Sequence, residues 1–345
     1  MKHMGIYAIM RTLKRVIAGD KKFIQTVADY EDETDFIKIH HNGNVDYGNV
    51  VYVIKENCDH DGFCATLRFI ICYLIFAKQY GFVPKIVLSQ DFVYYDEEKN
   101  KEISNPWEYY FKPVGNEYDT DKALNVCFGT YYQMQSIREK FDISSYNIEK
   151  YNDEETLKLC IPIVREYLVL KDEIVEECNN MFRDVKEKNG KILGVHFRGT
   201  DYKKGYNKHP IFVDEKTLID EVKNVTDTGK YDAVFVATDD TSFGDELRNV
   251  LGDIQVLMYS DVYRSDGDIS VAFSKDDRKY HKYLLGREIA RDMYTLSLCD
   301  GLIAVKSSVS FMSNLYKHSR DEKYGYMKII DNGNNVNDNE YFKES

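Results

Sequence analysis

An arginine able to bind phosphate follows one of the most apolar segments of this chain. The segment from Gly194 to Tyr202 reads GVHFRGTDY, and a strand here would place His196 and Arg198 on one face. An arginine at a strand end offers a planar set of donors that matches the oxygens of a diphosphate. The alternative is that Arg198 only pairs with a carboxylate at the end of the sheet. The glycine spacing is similar to that of a phosphate loop, but Thr200 occupies the position of the required lysine, so a Walker A motif is excluded.

The loop after this segment concentrates positive charge in an acidic protein. The chain has 46 Lys and Arg against 58 Asp and Glu, a formal net charge of −12, which repels polyanions and argues against binding to nucleic acid. Any anion site must therefore be a local basic pocket. The basic residues of the loop are Lys203, Lys204, Lys208 and His209.

A second polar group follows another apolar run, DAVFVATDD at 232–240, which ends in Thr238, Asp239 and Asp240. A carboxylate at this strand end could accept hydrogen bonds from a guanine edge or a ribose diol. The alternative is capping of the next helix, where aspartate is favoured, and we prefer capping for Asp240 or Thr241. Paired carboxylates also suggest a metal, but no third ligand with a recognisable spacing lies nearby.

A third site candidate is the run Lys306 to Ser310, which follows a predicted strand and begins a helix. The hydroxyls of Ser307 and Ser308, with the helix N-terminal amides, could bind phosphate, and capping by the same serines is compatible with that role. The preceding predicted helix, 283–298, carries like-charged pairs at helical spacing. We interpret these as surface ion-pair residues: Arg287 with Arg291, and Glu288 with Asp292.

Strands that alternate with helices must position these residues. The first half has a strand at 50–54, a helix at 67–80 and a strand at 85–88, whereas 91–154 reads as loops with short elements and 155–189 as helical. This pattern is typical of an α/β fold with doubly wound parallel sheets, whose ligands lie beyond the carboxyl ends of the strands. The second half repeats it, with strands at 192–197, 233–237, 255–258 and 302–305 and helices at 217–225, 243–251 and 283–298.

The 345 residues are about twice the length of a usual single domain of roughly 150 residues. We expect two Rossmann-like domains. The predicted divisions are 1–180, 181–332 and a polar tail at 333–345, which we expect to fray.

The seven cysteines are scattered and lack zinc spacing, which indicates reduced thiols in a cytoplasmic protein. The apolar runs fall far short of the ~20 residues that a membrane span needs. Residues 6–24 mix apolar and basic side chains, so they either lie on an anionic membrane surface, at the inner face of the membrane, or form an ordinary amphipathic helix packed on the protein. The 28 tyrosines are a weak indication of sugar binding.

In this order, the three segments resemble the inverting fucosyltransferases that include the α1,6-fucosyltransferases, the bacterial nodulation fucosyltransferases and the protein O-fucosyltransferases. The resemblance rests on HFRGTDY with a later His209-Pro210 pair, on VFVATDD, and on LSLCDGLIAVKSSVS. A weaker fourth part is Asp61-Gly62-Phe63, where relatives have a glycine-rich turn before a helix. Coverage of the N-terminal half is poor.

The resemblance implies a GT-B fold with two Rossmann-like domains facing a cleft, the first on the acceptor side and the second binding the nucleotide. It also implies a metal-independent glycosyltransferase that uses GDP-fucose as donor and an oligosaccharide or glycolipid as acceptor, in bacterial surface polysaccharide synthesis. Arg198 would bind the β-phosphate and stabilise the leaving GDP, while His196 and Asp239 would recognise the nucleoside. The remaining predicted donor-binding residues are Gly62, Thr238, Ser307 and Ser308.

The catalytic base is the part of the site that this sequence leaves open. Relatives with a second arginine carry it where this chain has Gly199, and the carboxylate they place before the His-Pro pair has no counterpart. Asp201 is our first choice as base. The other candidates are Asp214 and Glu215, or Asp59 and Asp61 from across the cleft.

Two alternatives to this function stay open. A pocket for a nucleoside diphosphate says little about the hexose, so the same fold could use another nucleotide sugar. The missing carboxylate also leaves a non-catalytic nucleotide- or glycan-binding protein as an alternative.

Overall fold

Two β-sheets, each covered by helices, form the framework of the protein. The structure, a computed structural model, describes residues 36–56 and 61–339. The basic segment at 6–24, with its predicted membrane contact, lies outside the described residues, as does Asp59. Within the described chain no helix combines the length and apolar character that a membrane crossing requires.

The first sheet is a mixed sheet with strand order β1-β4-β2-β3 in the described residues. β2 lies parallel to both of its neighbours, and β1 pairs antiparallel with β4 at the edge. Helix α1 joins β2 to β3, as predicted for a β-α-β unit. The elements are β1 (Ile39–His40), β2 (Val51–Ile54), α1 (Phe63–Gln79), β3 (Val83–Ile86) and β4 (Val126–Phe128).

Helix α1 is apolar on almost every face, and it is buried along nearly its whole length for that reason. It begins at Phe63, directly after Gly62, and is followed by Gly81 at φ 67°, a conformation that glycine adopts without strain. The helical region predicted at 155–189 is divided by short breaks. The further helices of the first half are α2 (Glu97–Asn100), α3 (Tyr131–Phe141), α4 (Glu154–Tyr167), α5 (Asp172–Met181) and α6 (Arg183–Lys186).

The second sheet is fully parallel, with strand order β7-β6-β5-β8-β9. The chain reverses its direction of strand addition between β5 and β8, and ligands of open α/β sheets bind at such a position. The strands are β5 (Ile192–Phe197), β6 (Ala233–Thr238), β7 (Gln255–Leu257), β8 (Gly301–Val305) and β9 (Tyr326–Ile330). The helices are α7 (Glu215–Thr226), α8 (Phe243–Leu251), α9 (His281–Leu298) and α10 (Ser308–Ser319).

The two halves share a hydrophobic core. Met293 of α9 and Phe311 of α10 are fully buried in the same cluster as residues of α1 and α4. The hydroxyl of Tyr110 donates to the carbonyl oxygen of Tyr283 at 3.0 Å, which adds a polar contact to this boundary. The predicted α/β class with two Rossmann-like sheets facing a cleft is confirmed, and the cleft is lined from both halves.

Candidate functional site

A cavity of about 1180 Å³ lies at the carboxyl ends of the parallel strands. It is wide enough for a nucleotide sugar, since small-molecule sites commonly measure about 300–1,000 Å³. One wall comes from the second sheet and the opposite wall from α1 and α3. The structure brings together at this cavity every site residue predicted from the sequence: Gly62, His196, Arg198, Asp201, Thr238, Asp239, Ser307 and Ser308.

Arg198 is held at the end of the central strand β5 by two carboxylates. Its guanidinium donates to Asp201 Oδ1 at 2.8 Å, to Asp239 Oδ2 at 3.0 Å and to Ser270 Oγ at 3.1 Å. Burial alone lowers the pKa of Arg198, but the two carboxylates outweigh it and raise the pKa above the ordinary value. The arginine therefore both pairs with carboxylates and presents a fixed positive charge to the cavity.

The Asp239 carboxylate, predicted to recognise the nucleoside, has both oxygens in contact with protein donors. Oδ1 accepts the Gly199 N–H at 2.8 Å, and Oδ2 accepts the Thr200 hydroxyl at 2.7 Å as well as the arginine. Gly199 has no room for a side chain, because a Cβ atom there would lie 2.6 Å from the Asp240 Cβ. Asp239 thus fixes the turn after β5, and the tight packing explains why this chain carries glycine rather than a second arginine.

His196 presents a buried acceptor to the cavity. Its Nδ1 lies 3.1 Å from the Ala237 carbonyl oxygen, which can only accept, so Nδ1 carries the proton. Burial, together with Arg198, outweighs the opposing effect of Asp239 and lowers the pKa of His196 to about 4. The ring is neutral at ordinary pH, and Nε2 is an acceptor with no partner among the described residues.

Asp292 of α9 is a cavity residue that the sequence analysis assigned to surface ion pairs. That interpretation is wrong for this residue, which is 9% exposed and has an Oδ1 atom without a partner in the described part of the chain. Burial raises the pKa of Asp292 to about 7, against the opposing effect of Arg264 and Arg291. The available signal was its position on α9, the helix directly before β8, a strand whose carboxyl end borders the cavity.

The other charged residues of α9 pair with residues outside the helix. Arg291 donates to Asp261 at 2.6 Å, and Arg287 pairs with Glu177 of α5. Glu288 lines the cavity, is 5% exposed, and pairs with Arg278. The predicted ion pairs therefore exist for the arginines, but they anchor α9 to its neighbours instead of lying on the surface.

The N-terminus of α10 contributes amides to the cavity wall. Ser307 caps the helix, since its Oγ accepts the Ser310 N–H at 3.1 Å. The Ser308 hydroxyl lies 2.9 Å from the Ser145 hydroxyl of the first half. Capping and a role in anion binding are compatible here, because the positive end of the helix dipole faces the cavity.

In the loop after β5 that was predicted to be basic, two of the lysines are paired with carboxylates. Lys203 pairs with Asp240 at 3.3 Å and Lys204 with Asp268 at 3.1 Å, whereas Lys208 and His209 line the cavity. The N-cap residue of α8 is Ser242 rather than Asp240, but Asp240 Oδ1 accepts the Ser242 and Phe243 N–H groups at 2.9 Å and 3.1 Å and so supports the start of the helix.

The described part of the tail, 333–339, is not frayed as expected, because it lies along the loop 204–211. Asn335 accepts from Lys208 N at 2.9 Å through its carbonyl oxygen, and its own N–H donates to the His209 carbonyl at 2.8 Å. The side chains of Asn337 and Asn339 donate to carbonyl oxygens of the same loop. The asparagine-rich composition supplies these contacts, which a hydrophobicity pattern does not reveal.

Three of the five base candidates fall outside the cavity or outside the described residues. Asp214 and Glu215 border a separate surface groove at the start of α7. Asp201 lies in the cavity but is paired with Arg198, and Asp61 lines the opposite wall beside Gly62.

The described residues contain no group of three or more His, Cys, Asp or Glu side chains arranged to hold a metal ion. The six cysteines in this part of the chain are all buried, and none forms a disulfide with another.

Comparison with known proteins gives no match to a family model and none to a curated protein. Several solved structures are similar to this chain. The NodZ α-1,6-fucosyltransferase soaked with GDP-fucose is 14% identical, with 78% of this chain and 92% of that chain covered and a TM-score of 0.43. Fucosyltransferase NodZ from Bradyrhizobium is 16% identical, with 78% and 93% covered and a TM-score of 0.45. POFUT1 in complex with GDP is 12% identical, with 83% and 99% covered and a TM-score of 0.44.

Proposed function

We propose that this protein is an inverting glycosyltransferase that transfers fucose from GDP-fucose to a hydroxyl of a glycan acceptor, in the synthesis of a bacterial surface polysaccharide. The observation that carries the proposal is the convergence of three strand ends on one cavity. There, Arg198 presents a fixed positive charge beside the N-terminus of α10, and His196 and Asp292 present buried acceptors. Together with the sequence segments that contain these residues, this arrangement fits a nucleoside diphosphate.

The two buried acceptors favour guanine over other bases. Guanine carries a ring N–H and an exocyclic amino group on one edge, whereas uracil offers a single ring N–H. His196 Nε2 and Asp292 Oδ1 are acceptors, and each gains a partner when it meets such a donor. Leaving a buried acceptor unsatisfied costs about 1–3 kcal/mol, so satisfying both supports selection of guanine.

Arg198 would stabilise the GDP leaving group. Its contacts with Asp201, Asp239 and Ser270 use three N–H donors, and a guanidinium has five. The remaining donors can meet a β-phosphate oxygen without breaking the ion pairs. A preorganised donor aimed at developing charge typically contributes a factor of about 10²–10³ in rate. In this proposal the guanidinium and the amides of α10 provide the charge stabilisation, so the transfer is metal-independent.

The proposal assigns the catalytic base to a residue other than Asp201, the first choice from the sequence. Asp201 Oδ1 accepts from the Arg198 guanidinium at 2.8 Å, so we assign Asp201 to holding Arg198 in position. Asp61 lines the wall opposite the diphosphate position, on the side where an acceptor hydroxyl would approach. We propose Asp61 as the first base candidate.

The proposal keeps the division of the chain expected from its sequence. Residues 1–180 would serve the acceptor, 181–332 the donor, and 333–345 form the tail. The protein would act in the cytoplasm, with residues 6–24 as a contact to the inner face of the membrane.

Calorimetric titration with GDP, UDP and ADP tests the donor site, and incubation with GDP-fucose and other GDP-sugars tests turnover. We expect GDP to bind at least about tenfold more tightly than UDP or ADP, a difference of about 1.4 kcal/mol. We also expect slow hydrolysis of GDP-fucose to GDP and fucose. Tight binding of UDP alone would contradict the guanine assignment. Hydrolysis of a different GDP-sugar would support the same fold with another donor, and binding without any turnover would support a non-catalytic protein.

A further inference from the structure

A pair of arginines lines the cavity on the wall opposite Arg198. Arg68 lies on α1 and Arg138 on α3, and both guanidinium groups contact the ring of Phe69, with 5.3 Å and 5.6 Å from the guanidinium carbon to the ring centroid. Neither residue forms an ion pair with a carboxylate of the described chain. Their polar partners are the Ile143 carbonyl for Arg68 and the Gln135 side chain for Arg138.

The burial of the Arg68 guanidinium favours an anion bound beside it. It is 6% exposed, and its Nε–H lacks an acceptor within residues 36–56 and 61–339. A buried positive charge is costly unless it is paired and hydrogen-bonded. Burial is the largest effect on Arg68 and lowers its pKa. Tyr146 opposes burial, Arg138 lowers the pKa further, and Cys72 and Asp61 have weaker opposing effects. An anion between the two arginines would relieve both the burial cost and their mutual repulsion.

This pair and Arg198 lie on different walls of the cavity, since Arg68 belongs to α1 and Arg138 to α3, whereas Arg198 follows β5 of the second sheet. Tyr146 also lines the cavity, and burial raises the pKa of its hydroxyl while Arg68 and Arg198 oppose that increase. Arg68 follows Gly62 by six residues, which corresponds to about 9 Å along a helix. The charged neighbours on the same wall are Lys55, Glu56 and Asp61, so the patch has more positive than negative groups.

We infer that Arg68 and Arg138 form a subsite for an anionic group on the acceptor, a carboxylate, sulfate or phosphate carried by the glycan. This inference rests on the proposed function, because it is the glycosyl-transfer reaction that makes the wall opposite the diphosphate an acceptor wall. An arginine pair suits such a group, since each guanidinium matches two oxygens of a planar or tetrahedral anion. The acceptor would therefore be an acidic glycan, and Phe69 would hold the two guanidinium groups in place.

The test is a calorimetric titration of the full chain saturated with GDP. The titrants are inorganic phosphate and glucuronate, with glucose as the neutral counterpart of glucuronate. The variants are Arg138→Gln, whose side chain is only half-buried, and Arg68→Gln. The matched control is Arg165→Gln, which removes an exposed arginine that pairs with Asp321 and is distant from the cavity lining.

We expect phosphate or glucuronate to bind the GDP-saturated protein and glucose not to bind at the same concentration. Arg138→Gln should weaken anion binding by roughly tenfold or more, the usual effect of one charge-assisted hydrogen bond, with GDP affinity unchanged. The anion that binds more tightly distinguishes a carboxylate from a phosphate or sulfate group.

Three results would overturn the inference: no anion binding by the GDP-saturated protein, equal anion affinity in Arg138→Gln and wild type, or a loss of GDP affinity as large as the loss of anion affinity. Arg68→Gln provides a second measurement of the same kind if it folds. Phosphate binding that depends on Arg138 in a protein that binds no GDP would contradict the proposed donor and still support an anion subsite.

Discussion

The Asp239 carboxylate accepts a hydrogen bond from the Arg198 guanidinium at 3.0 Å while it accepts the backbone N–H of Gly199 at 2.8 Å. Because Arg198 follows β5 and Asp239 follows β6, this one contact couples the direction of the arginine to the pairing of two central strands. A single carboxylate therefore determines both the shape of the turn and the position of the charge.

Asp239→Asn should reduce both turnover and stability. The amide keeps the size of the side chain but removes the charge that holds Arg198, and breaking a buried ion pair costs about 3–5 kcal/mol. We expect a lower Tm and a fall in kcat that is larger than the change in KM for the donor, measured with GDP-fucose. Asp321→Asn, which removes an exposed carboxylate, is the control. A wild-type kcat in Asp239→Asn would contradict the positioning role.

Arg198→Ala should lower kcat by about 10²–10³, because the leaving diphosphate loses its fixed positive charge. Arg198→Lys should recover only part of this loss, since an ammonium keeps the charge but cannot hold Asp201 and Asp239 with one planar group. Steady-state kinetics with GDP-fucose measure both variants. Near wild-type turnover in Arg198→Ala would show that Arg198 is not a catalytic residue.

Asp292 should make GDP binding depend on pH. Its pKa of about 7 is raised by burial, so below that pH the carboxyl is largely protonated and accepts poorly from a guanine edge. We expect GDP affinity to rise with pH, by up to about tenfold per unit below pH 7, and to level off above it. His196 stays neutral through this range because its pKa is about 4.

Asp292→Asn is the control for this pH dependence, because it has the same shape and does not titrate. The slope of GDP affinity against pH should be smaller in the variant than in wild type. The phosphate groups of GDP contribute equally to both slopes, so the difference between the slopes reports Asp292 alone. Equal slopes would show that Asp292 does not meet the base.

When no nucleotide is bound, the contribution of Asp292 to the free energy of unfolding should decrease as the pH rises. The folded-state pKa of Asp292 lies above its unfolded value of ~4, so its contribution is favourable below pH 4 and is lost as pH rises toward 7. The Tm of Asp292→Asn relative to wild type should therefore increase between these pH values. A constant difference in Tm across this range would contradict the raised pKa.

The sequence predicted the central parts of the fold and the cavity residues that follow the strands of the second sheet, for a physical reason. β5, β6 and β8 are buried on both faces, so they read as continuous apolar runs, and their polar end residues stand out. β4 has only three residues and β9 contains Lys328, so neither shows such a run. Asp292 was misassigned because helical spacing reveals which residues share a face, but not whether that face meets solvent or a cavity.

Asn335→Ala should loosen the loop that carries Lys208 and His209. The Asn335 side chain donates to the carbonyl oxygens of His209 and Pro210 at 3.2 Å, and its removal leaves the backbone contacts of the tail less constrained. Hydrogen exchange should become faster at the amides of Asn207, Lys208 and Ile211, which donate to the tail. Ser319→Ala, a change at a hydroxyl far from this loop, is the control. Unchanged exchange at all three amides would show that the tail does not hold the loop.

The shared core has a consequence for how substrates enter and leave. Met293 and Phe311 of the second half are buried in the same cluster as α1 of the first half, so a hinge rotation of one half against the other would expose apolar surface along the whole boundary. Loops and the helix ends around the cavity can move without that cost. We therefore expect substrates to enter and leave through local movements of these loops and helix ends. The two halves should also unfold together in a single calorimetric transition.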